Sequence, residues 1–373
     1  MPDSLYIHIP FCIQKCLYCD FFSVPYNESF VKAYTNALCK ELYLKKGSAH
    51  KLKTIYIGGG TPSLLPDECF VQIFQCLRDN FNLSTPVEIT VEANPGTLRE
   101  RGIHTMFSLG VNRISIGVQS MNNAELKTLG RIHTEEDALG ALELVKKAGI
   151  TNFSIDLMYG IPGQTIGSWH DTITKALEHT PSHISTYELT PEENTPLFEL
   201  VKSRQLIMPD EELILEMYYH AIDHLTRCGY EHYEISNFAL PGFRCVHNLN
   251  YWDRGEYIGA GAEAHSFIAG TRLRNMKEIA GYIGRLNKGI IPETESMGIT
   301  RAEALKEFIF LGLRKTEGIS IEIAEKKGLD IPALCGELLD DHLEVKDNTL
   351  RLTRKGMVVS NAVIVRLFEK LGL

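Results

Sequence analysis

Six short runs rich in β-branched residues, each followed by a stretch of helical periodicity, constrain this chain more than any other feature: SLYIHI, TIYIGGG, VEITVEANP, RISIGVQS, FSIDLMYGIP and HISTYELTP. Strands separated by helices pair in parallel, because only a crossover of a dozen or more residues returns the chain to the same sheet end. The fold class expected is therefore α/β. Phe30, Tyr34, Leu38 and Leu42 fall four apart and form one stripe of an amphipathic helix between the first two runs. Asp67 to Phe81 and Thr134 to Lys147 read the same way, as covers for the sheet. Each run begins apolar and ends on something chemical: a cysteine loop, then Gly58-Gly59-Gly60-Thr61, Glu92, Gln119, Asp156, and finally Tyr187 with Glu188. In barrels of parallel strands the C-terminal strand ends form the mouth, so six such ends predict one shared site.

The alternation fades near residue 195, which divides the chain into three expected segments, 1–195, 196–298 and 299–373. The middle one holds a helix near Asp210 to Arg227 and then a Gly- and aromatic-rich stretch containing HNLNYW, His247 to Trp252. The last predicts a helix through Leu313, a second around Ile331 to Asp341, a hairpin HLEVKDNTLRLT turning at Asp347-Asn348, and a final helix. Helices with a hairpin wing suggest a winged-helix-like module. Twelve Lys/Arg against twelve Asp/Glu over 298–373 give that module no electrostatic reason to grip DNA.

No run of about 18 apolar residues occurs, and MPDSLYIHIPF has neither a basic n-region nor an apolar core, so a cytoplasmic protein is expected. A net charge of −9 without a Lys/Arg block argues against a nucleic-acid partner. The nine cysteines are an odd number, three of them crowded together, which reads as metal chemistry plus scattered core thiols rather than a disulfide framework.

The crowded three are Cys12, Cys16 and Cys19 in LYIHIPFCIQKCLYCDFFS. Thiolates suit zinc and iron–sulfur clusters. A 4Fe–4S cube on three cysteines leaves one iron open to a ligand, whereas a structural zinc requires a fourth ligand, for which His8, Asp20 and Cys39 are the candidates. Three glycines at a strand end let backbone N–H groups approach a ligand, although a tight turn would explain them equally well.

C-x3-C-x2-C with Tyr18 before the last cysteine resembles the signature of the radical S-adenosylmethionine superfamily. The resemblance implies a partial six-stranded (β/α)6 barrel, a 4Fe–4S cluster on Cys12, Cys16 and Cys19, and S-adenosylmethionine on the open iron. Across nearly the whole chain LYIHIPFC, IYIGGGTPS, VEANPGT, RISIGVQS, LGRIH, IDLMYGIPGQT, YELTPEENTP, YEISNFA and GAGAEAHSF resemble the oxygen-independent coproporphyrinogen dehydrogenases, the HemN family, and the related haem chaperones. Residue by residue, this implies that Tyr6, Gly59, Gly60, Thr61, Glu92, Gln119, Arg131 and Asp156 contact S-adenosylmethionine.

Within the family the dehydrogenases carry another cysteine two residues after the third ligand, where this chain has Phe21, and an extension ahead of the cluster motif, where only eleven residues precede Cys12. Both point to the chaperone branch. So does HNLNYW, a motif linked to haem in that branch, in which His247 is the candidate haem ligand; the plainer reading is a packed, hydrogen-bonded histidine. The expected function is to bind haem and pass it to an acceptor apo-protein, soluble or membrane-associated, with a homodimer left open. Oxidative decarboxylation of coproporphyrinogen III and radical modification of RNA are the enzymatic alternatives.

Overall fold

The computed structural model describes residues 1–49, 51–329 and 341–372. It divides into two compact units, Met1–Ala221 with Glu256–Met297, and Ile222–Gly255 with Gly298–Leu373. Residues 196–298, read from the sequence as one segment, are distributed over both. Among the described residues no helix is long and apolar enough to cross a membrane.

In the first unit the six expected runs all form strands: β1 (Ser4–Ile9), β2 (Leu52–Gly59), β3 (Leu83–Ala93), β4 (Arg113–Gln119), β5 (Phe153–Tyr159) and β6 (His183–Glu188). A seventh, β7 (Ile258–Ala260), was not expected. The order is β7-β1-β2-β3-β4-β5-β6, and every adjacent pair is parallel. Crossover helices cover a parallel sheet, and the covered face is apolar. Leu5, Ile7 and Ile9 of β1 are fully inaccessible, each stabilising the fold by about 1.5–3 kcal/mol.

The intervening helices begin where local chemistry caps them. Thr134 and Asp137 form a reciprocal capping box for Glu135–Lys147, and Thr165 with Ser168 does the same for Ile166–Glu178. Helix Glu28–Leu44 buries Tyr34, Leu38 and Leu42 of the predicted stripe, while Phe30, in its first turn, stays 47% exposed. The same helix carries a buried ion pair, Glu41 to Lys45 at 2.8 Å. Lys45 Nζ donates to the Gly259 carbonyl at 2.7 Å, and the Gly261 N–H donates to Glu41 at 2.8 Å. The Tyr34 hydroxyl donates to the His8 carbonyl at 2.8 Å and accepts from the Ala262 N–H at 2.9 Å. This polar seam fixes β7 against β1, directly behind the cysteine loop.

The second unit contains helix Val246–Trp252, helix Arg301–Gly312, and a three-stranded antiparallel sheet in the order Ile319–Ser320, Thr349–Leu352, Leu343–Lys346. Its hairpin turns at Asp347 and Asn348, both with positive φ, the backbone that a two-residue hairpin loop requires. Leu343, Leu350 and Leu352 pack on Ile364 and Leu367 of the last helix. The helix expected around Ile331 to Asp341 falls, apart from Asp341, on residues outside those described.

Candidate functional site

The strand ends of the first unit open onto a cavity of about 550 Å³. Of the residues singled out from the sequence, Cys12, Cys16, Cys19, Gly59, Gly60, Thr61, Glu92, Gln119, Arg131 and Asp156 all line it. Tyr6 stands behind the wall: its ring stacks on Tyr56 at 6.3 Å and its hydroxyl pairs with His8 Nδ1 at 3.0 Å. His247 belongs to the other unit.

The cysteine loop leaves β1 and returns through a two-residue parallel bridge, Phe11–Cys12 beside Val24–Pro25. Backbone bonds from Val24 to Pro10 and from Tyr26 to Cys12 close its base at 2.7 and 2.8 Å. His8 Nε2 pairs with the Phe22 carbonyl at 3.0 Å, so His8 braces the loop from beneath. Burial drives the His8 imidazole down to about 4. Burial also pushes the Cys19 thiol up to about 11, a cost that binding the thiolate to a metal would offset.

The spacing of donors tests which metal group fits. A tetrahedral zinc with ~2.3 Å bonds holds its sulfurs about 3.8 Å apart. Among the described residues, no set of three His, Cys, Asp or Glu ligand atoms within 4.8 Å of one another includes any of these cysteines. The three sulfurs are therefore spread more widely than one small ion would hold them. Cys39, a candidate fourth zinc ligand, instead lies on helix Glu28–Leu44 with its thiol donating to the Gln72 carbonyl of helix Asp67–Asn80 at 3.8 Å.

The glycine run is closely packed on every side. A Cβ on Gly58 would lie 2.9 Å from the Glu92 carboxyl, one on Gly59 2.6 Å from the His8 ring, and one on Gly60 2.8 Å from the Phe11 carbonyl oxygen. Gly59 also has φ +118°, a conformation that L-residues avoid. Its N–H donates to Glu92 at 3.0 Å, and the Tyr56 hydroxyl donates to the other oxygen at 2.8 Å. Burial, reinforced by the Asp156 charge and opposed by those two hydrogen bonds, raises Glu92 to about 7. Burial likewise raises Asp156 despite hydrogen bonds from Ser185, Ser115 and Ser154. Gln119 sits where the register of β4 against β5 shifts, with φ +68°; such strain concentrates at ligand sites.

Arg131 extends one guanidinium nitrogen to the Gly117 carbonyl at 2.6 Å and another to Cys16 Sγ at 3.4 Å. Sequence reasoning missed Tyr56 and Ser115, which hold the two carboxylates, because a polar residue within an apolar strand carries no signal of which face it takes.

In the second unit His247 is only 1% exposed. Its Nε2 pairs with the Tyr251 hydroxyl at 3.0 Å, one helical turn on, and the rings meet edge-to-face. Trp252 packs beneath the Arg314 guanidinium, 4.4 Å from the ring centre. The hexapeptide is thus a packed helix whose histidine is buried and hydrogen-bonded within it.

A parallel sheet with a three-cysteine loop, a glycine turn and half-buried carboxylates at its strand ends defines a radical S-adenosylmethionine protein, and residues 6–176 match the Radical SAM superfamily. Residues 299–359 match the HemN C-terminal domain. The chain belongs to the HemW haem chaperone family: it is 38% identical to HemW of Lactococcus lactis, over 99% of this chain and 97% of that one. It is 36% identical to HemW of Bacillus subtilis over 96% and 97%, and 42% identical to that of Escherichia coli over 74% of each. The fold matches the solved structure of Escherichia coli coproporphyrinogen III oxidase, HemN, with a TM-score of 0.84 at 24% identity, covering 98% of this chain and 90% of that one. The superfamily implies a 4Fe–4S cluster and S-adenosylmethionine, which the donor set accommodates.

Proposed function

We propose that this protein is a haem chaperone, which binds haem and hands it to acceptor apo-proteins. In this reading Cys12, Cys16 and Cys19 hold a 4Fe–4S cluster whose open iron, when the cluster is bound, supplies a coordination point for S-adenosylmethionine. Glu92 and the Gly59–Thr61 backbone take the ammonium end of that ligand, and Gln119, Arg131 and Asp156 its carboxylate and ribose. Tyr6 acts from behind by fixing Tyr56. The observation that carries the reading is the convergence of three cysteines and four strand-end polar groups on one cavity in a chain that matches HemW relatives over nearly its full length.

Phe21 favours transport over porphyrinogen oxidation. It stands 66% exposed at the cavity rim, where the dehydrogenase branch carries a further cysteine. His247 is assigned to haem, with Tyr251 as its hydrogen-bond partner in the fold. Acceptors are soluble or membrane-bound haem proteins, and the site of action is the cytoplasm, consistent with the described cysteines all being free thiols. A homodimer would be compatible with this role.

One anaerobically reconstituted preparation tests the proposal in two assays. Haem transfer to an apo-protein without conversion of coproporphyrinogen III supports it; protoporphyrinogen formation overturns it. His247→Ala should alter the haem spectrum, and an unchanged spectrum and stoichiometry remove His247 from the assignment.

A further inference from the structure

We propose that Arg131 tunes the redox behaviour of the cluster by donating an N–H···S hydrogen bond to the Cys16 ligand, and that His133 is the positioning residue that aims it. The inference rests on the cysteine-held cluster but is independent of haem transport.

The geometry around Arg131 is over-determined. Nη1 lies 3.4 Å from Cys16 Sγ, Nη2 is 2.6 Å from the Gly117 carbonyl of β4, and Nε donates to His133 Nδ1 at 3.3 Å. A guanidinium held at both Nη2 and Nε has one orientation left, and that orientation places Nη1 on the sulfur. The loop and the arginine segment are also joined through the backbone: the Leu17 N–H donates to the Leu129 carbonyl at 3.1 Å. Gly130, at φ +71°, passes so close that a Cβ there would lie 2.6 Å from the Leu17 side chain.

His133 is buried at 3% exposure. Since Nδ1 accepts from Arg131, the proton resides on Nε2, which donates to the Val118 carbonyl at 3.0 Å. Burial first and the Arg131 charge second depress this imidazole to about 4, so it stays neutral and able to accept at neutral pH. Through Val118 it also anchors the bend that turns Gln119 into the cavity.

Hydrogen bonds to sulfur and local net charge are the levers by which a protein sets an iron–sulfur potential. One electron from a low-potential donor makes the cluster one unit more negative. A permanent cation hydrogen-bonded to a ligand sulfur stabilises that reduced state more than the oxidised one. Arg131 therefore raises the potential, and His133 does so only by holding Arg131 in place.

The test is potentiometric titration of the reconstituted full-length protein with dithionite and mediators, read by electron paramagnetic resonance, without S-adenosylmethionine. Arg131→Gln should shift the reduction equilibrium about tenfold toward the oxidised cluster, 59 mV for a one-electron couple. His133→Ala should shift it about threefold, and His133→Gln, which offers one acceptor and one donor at comparable separation, should restore the wild-type value. Arg131→Gln with full iron and an unchanged midpoint would overturn the proposal. Should that variant lose its cluster, the His133→Ala and His133→Gln pair decides, because His133 touches no ligand: equal potentials in the pair refute the positioning role. If the wild type itself assembles no cluster, the cofactor reading fails instead, and the iron content reports it.

Discussion

Replacing Glu92 with Gln should flatten the pH dependence of stability of the metal-free chain. The carboxyl titrates near 7 in the fold instead of at the ordinary 4.5, chiefly because it is buried. Between those values the folded state retains a proton that the unfolded chain has lost, so stability falls as pH rises from 4.5 and levels off above 7. At 1.36 kcal/mol per pH unit the full loss is about 3.4 kcal/mol, and water in the cavity reduces it to about 2–3. Gln cannot ionise. It keeps one of the two hydrogen bonds from Tyr56 and Gly59, so the substitution adds a constant offset but no slope. Urea unfolding of both chains from pH 4.5 to 8 isolates the effect, since all other titrating groups are shared. The wild type should lose about 2–3 kcal/mol more than Glu92→Gln across that window. Parallel curves would show that Glu92 is ionised in the fold at neutral pH and that burial does not govern it.

Cys12→Ala, Cys16→Ala and Cys19→Ala should each abolish cluster assembly, measured as iron and acid-labile sulfide, while Cys39→Ala, in the helix layer, should retain both. Gly60→Ala places a Cβ 2.8 Å from the Phe11 carbonyl oxygen; it should cost about 1–3 kcal/mol in thermal unfolding and weaken S-adenosylmethionine at least tenfold in equilibrium binding. Lys45→Ala strands Glu41 as a buried charge and should destabilise by about 3–5 kcal/mol, with chemical denaturation as the check.

The six strands were legible because their pattern is local: β-branched runs ending in Gly, Glu, Gln or Asp bring those ends to one mouth whatever the connections do. The cysteine spacing and the Asp347-Asn348 turn are equally local. The strand Ile258–Ala260 was not legible. It is three residues long and built from Ile, Gly and Ala, and what holds it is the Lys45 and Glu41 seam, contributed from more than 200 positions away. Phe30 keeps the helical period of Tyr34 but lies in the first turn, beyond the edge of what the sheet covers. His247 shows the converse case. Its motif carried a haem role only by resemblance and a packed, hydrogen-bonded histidine as the plainer reading, and the i, i+4 spacing within His247-Asn248-Leu249-Asn250-Tyr251 lets the tyrosine hydroxyl take its Nε2. Arg131 was assigned by resemblance to S-adenosylmethionine, and only the fold reveals that one of its nitrogens already faces Cys16.

The claim on which the rest depends is a 4Fe–4S cluster tied to the chain at three corners. Mössbauer spectroscopy of protein rebuilt anaerobically with ⁵⁷Fe, before and after adding S-adenosylmethionine, addresses it directly. The account predicts four irons per chain, of which about one quarter of the signal moves to higher coordination when the ligand is added. Zinc in place of iron, or an iron spectrum that does not respond to S-adenosylmethionine, would contradict it.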